Sequence, residues 1–279
     1  MIILAESDSS RTEWCLIDEE GVQERIVTDG INPYFQSRKE ISHIIRLQLP
    51  VAFFKSKASS IYYYGAGCSS DAKKNIVKAS LESQLRTPSN VESDLLAAAR
   101  GLFKDEAGIA CIIDTGSNSC FYDGTEIKMN VPPLGYILGD EGSGAALGKS
   151  FLSDCLKGIA PEDLTKEFYV KYGIDPDDIL DYIYTKSSPN KMLSILSLFL
   201  AEHLTDPYVS KLIETNQISF FERNILQYNY RSYPVRFVGK IAMVYGASLR
   251  KVAHKYGIQI DAIEENPVDG LIEYHRRSE

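Results

Sequence analysis

The sequence predicts a mixed α/β protein built from two similar halves. Residues 2–30 follow the order strand, short polar turn, strand, tight turn and strand, and residues 108–131 repeat that order. Apolar residues at strand spacing and at helix spacing then alternate along the chain, which excludes an all-helical or all-β fold. Because the same layout occurs twice, a domain apart, we expect an internal duplication.

The first half begins with a buried strand, Ile2 to Leu4, that enters the polar turn Ser7–Ser10. A hairpin at Glu20-Gly21 follows, and helix and strand patterns then alternate. Asn90-Val91 is a short strand, and Asp94 opens a helix rich in alanine and leucine. These elements predict a sheet with helices packed against it.

The second half begins with a strand from Ile109 to Ile113 that enters the turn Asp114–Ser119. Residues 145–231 have an almost wholly helical pattern, and the strand 235–238 ends at Gly239 before another helix. A strand, a glycine and a helix in this order let a ligand approach the backbone at the helix start.

These boundaries predict two domains. We expect an N-terminal domain at residues 1–107 and a C-terminal domain at residues 108–266 with a large helical insertion. The final helical pattern, 267–279, is expected to pack back on the first domain.

Composition excludes several classes of protein. Among 279 residues, the net charge is −8 and no basic stripe occurs, which argues against a nucleic-acid partner. No stretch reaches the roughly 18 apolar residues of a membrane span, and the N-terminal residues do not form a signal peptide. The five cysteines contain no C-x-x-C pair, and the four histidines are far apart. We therefore expect a soluble, cytoplasmic protein with buried thiols and no zinc site.

Two turns and one glycine-rich segment suggest binding chemistry. A turn of Gly, Ser and Thr between strands offers backbone N–H groups to phosphate oxygens, although each turn alone also fits an ordinary hairpin loop. The segment Gly135–Gly144 places the acids Asp140 and Glu141 among glycines. The acids alone would suit a helix start, but the glycines indicate a close approach of backbone. Asp140 is therefore a candidate to bind ligand hydroxyls.

Asp94 has two interpretations. As the N-cap of its helix it would contribute about 1 kcal/mol to stability. As a functional group it would lie at the carboxyl end of a strand, where ligand sites of α/β proteins open.

The motifs together resemble the BadF/BadG/BcrA/BcrD-type ATPases and the N-acetylglucosamine kinases, in the sugar kinase, Hsp70 and actin superfamily. The resemblance covers essentially the whole chain in order. Its specific part is Thr115 to Asn118 followed by Gly139 to Gly142; the other motifs are Ser7 to Thr12, Asp94 and Val238-Gly239.

The resemblance implies two ribonuclease H-like (actin-like ATPase) domains with ATP and Mg²⁺ between them. It implies transfer of phosphate from ATP to an amino sugar, with Asp94 as the catalytic base. The implied sugar contacts are Asn32, Thr115, Asn118, Gly135 and Asp140. The implied nucleotide contacts are Ser9, Ser10, Arg11, Thr12, Thr115, Gly116, Ser117 and Gly239, with Glu6 at the metal.

The sequence departs from the family pattern in its phosphate turns. Glu6 replaces the usual aspartate on the metal side, and Asp8 stands where a glycine is usual. Asp114 likewise replaces a glycine before Thr-Gly-Ser. A carboxylate near a phosphate is repelled by roughly 1 kcal/mol in water and by more at lower dielectric, so these acids are expected to weaken ATP binding.

Three functions follow from the resemblance. The first is an ATP-dependent kinase that converts N-acetylglucosamine, or a related hexosamine, to its 6-phosphate. The second is a catalytically weak sugar-binding sensor on the same scaffold, suggested by the extra acids. The third, an ATPase activator of a dehydratase, requires closely placed cysteines for an iron–sulfur cluster, and the sequence has no such pair. A homodimer is compatible with all three.

Overall fold

The computed structural model describes residues 1–8, 10–185 and 189–277. The chain forms two compact units: unit 1 comprises Met1–Asp105 and the segment that begins at Pro267, and unit 2 comprises Glu106–Asn266. Each unit contains one five-stranded sheet with helices. The two mixed sheets confirm the predicted α/β class, whereas the duplication and the helical insertion stay predictions.

The described residues of unit 1 form a mixed sheet and five helices. Its strands are β1 (Ile2–Ser7), β2 (Arg11–Ile17), β3 (Val22–Asp29), β4 (Ser60–Gly65) and β5 (Ser89–Ser93); its helices are α1 (Arg38–Gln48), α2 (Val51–Lys55), α3 (Asp71–Leu85), α4 (Asp94–Phe103) and α13 (Val268–Arg277). The strand order is β3-β2-β1-β4-β5. Strands β1 to β3 pair antiparallel, and β4 and β5 continue the sheet parallel to β1.

Strand β1 is buried on both faces. Ile3 and Ala5 belong to one apolar cluster with residues of α1 and α3, whereas Ile2 and Leu4 belong to a second cluster with residues of α4 and α13. Successive strand residues point to opposite faces, so a strand covered on both sides needs a continuous apolar run. This requirement explains the apolar start of the sequence.

Helices α4 and α13 meet through glycines. A Cβ atom at Gly270 would lie 2.0 Å from the carbonyl oxygen of Gly101, and a Cβ atom at Gly101 would lie 2.7 Å from that of Pro267. The two backbones therefore approach more closely than any side chain allows. This contact packs α13 against the rest of unit 1.

Replacing Gly270 with alanine should destabilise the protein, because the new methyl group meets backbone that cannot rotate away. We expect a loss of about 2 kcal/mol in the free energy of unfolding, measured by urea denaturation. Gly246→Ala is the matched control, since its Cβ would meet only the Cδ1 atom of Ile263 at 3.3 Å. Equal stability of the two variants would contradict the proposed close contact.

Unit 2 contains the second mixed sheet. Its strands are β6 (Gly108–Ile113), β7 (Ser117–Tyr122), β8 (Ile127–Val131), β9 (Val235–Val238) and β10 (Ile260–Glu264); its helices are α5 (Gly135–Leu138), α6 (Gly144–Leu156), α7 (Glu162–Tyr172), α8 (Ile179–Thr185), α9 (Pro189–Phe199), α10 (Pro207–Arg223), α11 (Lys240–Val244) and α12 (Gly246–Lys255). The order β10-β9-β6-β7-β8 has the same strand directions as the unit 1 sheet.

One large apolar cluster joins this sheet to its helices. Phe151, Phe168 and Phe199 form its aromatic part, with ring centroids 4.9–5.8 Å apart. Such tilted and offset rings add to the stability that burial alone provides. Across the described residues of both units, no helix is both long and apolar enough to span a membrane.

Strand register aligns the ends of the parallel strands. In unit 1, Ser7 pairs with Gly65, which in turn pairs with Ser93. The residues that follow these three strands, Asp8 and Asp94 among them, therefore leave the sheet at the same edge. In α/β proteins this carboxyl edge is where ligands bind.

Candidate active site

Asp94 is the first residue of α4, but it is not the cap of that helix. Ser93 is the N-cap, and its Oγ accepts the N–H of Leu96 at 3.2 Å. The Oδ1 atom of Asp94 accepts a local bond, from the N–H of Leu95 at 2.8 Å. The interpretation of Asp94 as the N-cap is therefore wrong. Ser93 performs that role and leaves the carboxylate available for another.

Asp94 belongs to a group of interacting carboxyls in unit 1. Burial raises the pKa of Asp94 above its ordinary value of 3.8, and the nearby charge of Asp8 raises it further. Burial, followed by the charges of Asp8 and Asp94, raises the pKa of Glu6 to about 8. Repulsion between acids makes a cation favourable at this edge of the sheet.

The first polar turn is closed by its own acid. The Oδ1 atom of Asp8 accepts the backbone N–H groups of Ser10 and of Arg11, the latter at 2.8 Å. The guanidinium of Arg11 lies 3.7 Å from the same carboxylate. The N–H groups predicted to bind phosphate are thus already bonded within the turn. Ser9, also predicted to contact the nucleotide, lies outside the described residues.

Thr12 is a buried residue of β2, next to the first polar turn. Its side chain is fully buried, and its Oγ1 lies 2.7 Å from the Oγ of Ser7 and donates to the carbonyl of Asp29 at 3.1 Å. Thr12 therefore holds β2 against β1 and β3. The nucleotide contact that the family resemblance implies for Thr12 stays a prediction.

Asn32 lies in a tight loop beside the end of β4. Its Oδ1 atom accepts the N–H of Tyr34 at 3.0 Å. A Cβ atom at Gly67 would lie 2.3 Å from that same oxygen, and the φ of +79° at this position also favours glycine. The next residue, Cys68, is buried and is close enough to Asp94 for the aspartate charge to raise the thiol pKa, after the larger effect of burial. Asn32 and Asp94 therefore share one edge of the sheet.

In unit 2, Asp140 is a buried acid next to the second polar turn. Its side chain is nearly inaccessible, and its Oδ1 accepts the N–H of Ser117 at 3.4 Å. Burial raises the pKa of Asp140 to about 6; the charge of Glu141 raises it further, whereas the Ser117 N–H and Lys149 act in the opposite direction. An acid held this way is poised to accept hydrogen bonds from a ligand.

The glycines around Asp140 serve different purposes. A Cβ atom at Gly139 would lie 2.0 Å from the carbonyl oxygen of Pro133, and one at Gly142 would lie 2.7 Å from Cβ of Phe220. A Cβ atom at Gly116 would lie 3.1 Å from Oδ2 of Asp140. Gly139 and Gly142 confirm the close approach predicted for the segment, whereas Gly116 lies outside it. Gly135 differs, because it is exposed and has no atom within 4 Å of such a Cβ.

Helix α10 fixes the segment that carries Asp140. Asn216 accepts the N–H of Gly142 at 3.2 Å and donates to the carbonyl of Ser143 at 3.2 Å. Phe220 packs against Gly142, and Arg223 lies 3.5 Å from Glu141. Residues at positions i, i+4 and i+7 of one helix face thus support this segment.

Replacing Asn216 with leucine should loosen this segment, because the buried N–H of Gly142 loses its acceptor. We expect a loss of about 1–3 kcal/mol in stability and faster amide hydrogen exchange at Gly142. Thr215→Ala, at an exposed position of the same helix, is the control. Unchanged exchange at Gly142 in the leucine variant would show that Asn216 does not hold the segment.

The second polar turn is also closed by its own acid. One oxygen of Asp114 accepts the N–H of Thr115 at 2.8 Å, and the other accepts the N–H of Lys240 at 2.9 Å. The Oγ of Ser117 donates to the carbonyl of Glu141 at 2.8 Å. The turn, the Gly239 junction and the Asp140 segment therefore meet within unit 2.

Asn118 lies in β7, where it pairs with Ile112 of β6 and directly precedes the residues that pair with β8. Its Oδ1 accepts the N–H of Ser119 and the side-chain amide of Asn130, both at 2.9 Å. These bonds fix the orientation of the Asn118 amide, and its oxygen already accepts two hydrogen bonds.

Metal-binding groups are sparse. Among the described residues, no three His, Cys, Asp or Glu side chains form a metal-binding group. All five cysteines are buried and free, which confirms the prediction of buried thiols.

The structure thus brings Glu6, Asp8, Asn32 and Asp94 to one sheet edge in unit 1. It also brings the turn 114–117, Asp140 and Gly239 together in unit 2. Ser93 and Asn216 support these sites and were not found from the sequence. Ser93 precedes Asp94 as a good capping residue, which was a usable signal; Asn216 carries no such signal.

Two mixed five-stranded sheets with the same strand directions and with surrounding helices define the two-unit fold of the actin-like ATPases. A structure from Porphyromonas gingivalis, provisionally named an N-acetylglucosamine kinase, is 42% identical over 99% of both chains, with a TM-score of 0.95. The chain therefore belongs to the N-acetylglucosamine kinase-like family of this superfamily.

Two more distant structures share the fold. One, from Chromobacterium violaceum and provisionally named as the same kinase, is 17% identical over 98% of both chains, with a TM-score of 0.76. The other, a ROK family glucokinase from Streptomyces griseus in complex with glucose and AMPPNP, is 14% identical, with a TM-score of 0.64, over 98% of this chain and 97% of its own. No protein-family model and no curated protein matches the chain.

Proposed function

We propose that this protein uses ATP to phosphorylate an amino sugar and that its substrate is N-acetylglucosamine, which it converts to the 6-phosphate. The observation that carries the proposal is Asp94. Its carboxylate directly follows the parallel edge strand β5, does not cap α4 because Ser93 does, and has a pKa raised by burial. These are the properties required of a general base.

In the proposed reaction, Asp94 accepts the proton of the sugar 6-hydroxyl as that oxygen forms a bond to the γ-phosphorus. The bond between the γ-phosphorus and the bridging oxygen breaks, and ADP leaves. The raised pKa makes Asp94 a stronger base than an exposed aspartate. Asn32, held beside Gly67, is assigned a contact to the sugar.

In unit 2, the proposal assigns sugar hydroxyls to Asp140 and Asn118. The desolvated carboxylate of Asp140 gains most from such hydrogen bonds, because its burial leaves it short of donors other than Ser117. The turn residues Thr115, Gly116 and Ser117, together with Gly239, are assigned to the nucleotide.

The residues of unit 1 fit one Mg²⁺ ion. Magnesium commonly uses one or two protein carboxylates together with phosphate oxygens, so it does not need a group of three protein ligands. Glu6, whose pKa is raised by burial and by neighbouring acids, is assigned to this cation. When bound, Mg²⁺ would neutralise phosphate charge.

The comparisons support this proposal through the names of the neighbours. Two of them carry the provisional name N-acetylglucosamine kinase, and a third was solved with glucose and an ATP analogue. The 42% identity of the first extends over nearly the whole chain.

The direct test measures ADP formation by purified protein with ATP, Mg²⁺ and a panel of sugars. The panel contains N-acetylglucosamine, N-acetylmannosamine, N-acetylgalactosamine, glucosamine and glucose. We expect the highest kcat/KM for N-acetylglucosamine. A higher value for glucose would replace the proposed substrate, and the absence of turnover with every sugar would overturn the kinase assignment.

A second candidate is a sugar-binding sensor with weak or no catalysis. Asp8 and Asp114 favour it, because their carboxylates bond the turn N–H groups that phosphate would use. Calorimetry of sugar binding and the ADP assay together distinguish the two functions. A sensor binds the sugar but produces no ADP, whereas a kinase does both.

A further inference from the structure

The carboxylate of Asp114 lies where two backbone N–H groups converge. Its two oxygens accept from Thr115 at 2.8 Å and from Lys240 at 2.9 Å. Both donors belong to loops that the proposed function assigns to the nucleotide. One side chain therefore links the polar turn after β6 to the loop after β9.

Backbone geometry makes this link possible. Gly239 has a φ of +125°, and a Cβ atom there would lie 2.2 Å from the carbonyl oxygen of Ile113. Only glycine brings the two loops this close. With the loops in contact, the carboxylate of Asp114 reaches N–H groups from both.

A carboxylate and a phosphate compete for the same donors. Each presents anionic oxygens, and backbone N–H groups in polar turns bind either. The N–H groups that Asp114 occupies cannot also bind a phosphate oxygen in good geometry. The sequence alone predicts electrostatic repulsion between Asp114 and a phosphate. The contacts show in addition that the carboxylate occupies the N–H groups of Thr115 and Lys240.

Unit 1 shows the same arrangement independently. Asp8 accepts the N–H groups of Ser10 and Arg11 within its own turn. Both acids stand at positions where the family resemblance expects glycine, which has no side chain to compete.

We propose that Asp114 is a built-in competitor for the nucleotide phosphates and sets the affinity of this protein for ATP. This inference rests on the proposed function. Before phosphate oxygens bind Thr115 and Lys240, the Asp114 carboxylate leaves both N–H groups. ATP and ADP consequently bind more weakly than they would to a turn with glycine at position 114.

The test compares Asp114→Gly with Asp114→Asn by calorimetry with ATP and ADP. Glycine removes both the charge and the occupying side chain, whereas asparagine removes the charge but keeps one oxygen that accepts an N–H. Occupation predicts about tenfold tighter nucleotide binding for the glycine variant and a clearly smaller gain for asparagine. Equal gains in nucleotide affinity for both variants would show that Asp114 acts by charge repulsion and not by occupying the N–H groups. No gain in affinity for the glycine variant would overturn the inference entirely.

Asp123→Gly is the matched control. Asp123 also accepts two turn N–H groups, from Thr125 at 2.8 Å and from Glu126 at 2.9 Å, but it lies in a hairpin with no assigned ligand. Its replacement should leave nucleotide affinity unchanged. A gain equal to that of Asp114→Gly would contradict a specific role for Asp114.

A second measurement covers the case in which Asp114→Gly folds poorly. Inorganic pyrophosphate should raise the Tm of the glycine variant more than that of the wild-type protein, because the anion replaces the missing carboxylate. An equal increase in both proteins would overturn the inference. Failure of the proposed function has a different signature, namely no binding of ATP or ADP to the wild-type protein or to any variant.

Discussion

Replacement of Asp94 with asparagine should lower kcat for sugar phosphorylation by about 10²–10⁴-fold, the usual contribution of a general base. Asparagine has nearly the same shape and still accepts the N–H of Leu95, but it cannot take a proton. The fold should persist, because Ser93 caps α4 in the variant as it does in the wild-type protein. Steady-state kinetics and thermal unfolding measure the two effects separately.

Asp71→Asn is the matched control for this experiment. Asp71 is the first residue of α3 and follows the capping residue Ser70, as Asp94 follows Ser93. Asp71 is exposed, so its replacement should leave kcat unchanged. If Asp94→Asn retains kcat within a factor of about three, Asp94 is not the base.

Replacement of Asp140 with asparagine should stabilise the protein without ligand and weaken sugar binding. The pKa of Asp140 is raised to about 6 from its ordinary value of 3.8, chiefly by burial. The folded state therefore retains the proton to higher pH than the unfolded state. The contribution of this carboxyl group to the free energy of unfolding is fully present below pH 3.8, and it is lost as the pH rises through about 6.

Two pKa units correspond to about 3 kcal/mol, so Asp140→Asn should gain about 2–3 kcal/mol at pH 7.5 and little at pH 4. Asparagine also tolerates the φ of +55° at this position. Urea unfolding at both pH values measures the gain. Asp177→Asn, at an exposed position in unit 2, is the control and should show no gain at either pH.

The same variant should bind N-acetylglucosamine about 10–100-fold more weakly, because hydrogen bonds to a charged acceptor are stronger than those to an amide. Calorimetry measures this loss. If the variant is more stable than the wild-type protein and binds the sugar equally well, the unfavourable burial of the Asp140 carboxylate does not serve sugar binding.

Much of the fold was predictable because local patterns and tertiary structure agree. The apolar run at Ile2 and the run from Ile109 both become central strands buried on two faces. Strand β10 was missed, since its sequence from Ile260 to Glu264 carries two acids and only Ile260 among its residues is buried. An edge strand with so few buried residues has a weak apolar pattern.

The site was predictable where the signal is local. The glycines at Gly139 and Gly142 indicated close backbone approach, and contacts to Pro133 and Phe220 confirm it. Asn216 was not predictable, because it lies 74 residues from the Gly142 N–H that it binds. No spacing rule connects residues so far apart; only the packed helix α10 brings them together.

The placement of individual polar side chains near the first turn was also not predictable from the sequence. Thr12 and Asp8 are both polar residues near the first turn, yet one is fully buried between strands and the other bonds the turn itself. Strand register decides this difference, because Thr12 pairs with Ser7 in the sheet.

The most direct test of the account is a ³¹P NMR spectrum of the protein with ATP, Mg²⁺ and N-acetylglucosamine. A phosphate ester at the 6-oxygen couples to two methylene protons, so we expect one new phosphomonoester resonance split into a triplet, together with ADP. A spectrum in which ATP is unchanged although the sugar is bound, or in which only ADP and inorganic phosphate form, would contradict the assignment of this protein as an amino-sugar kinase.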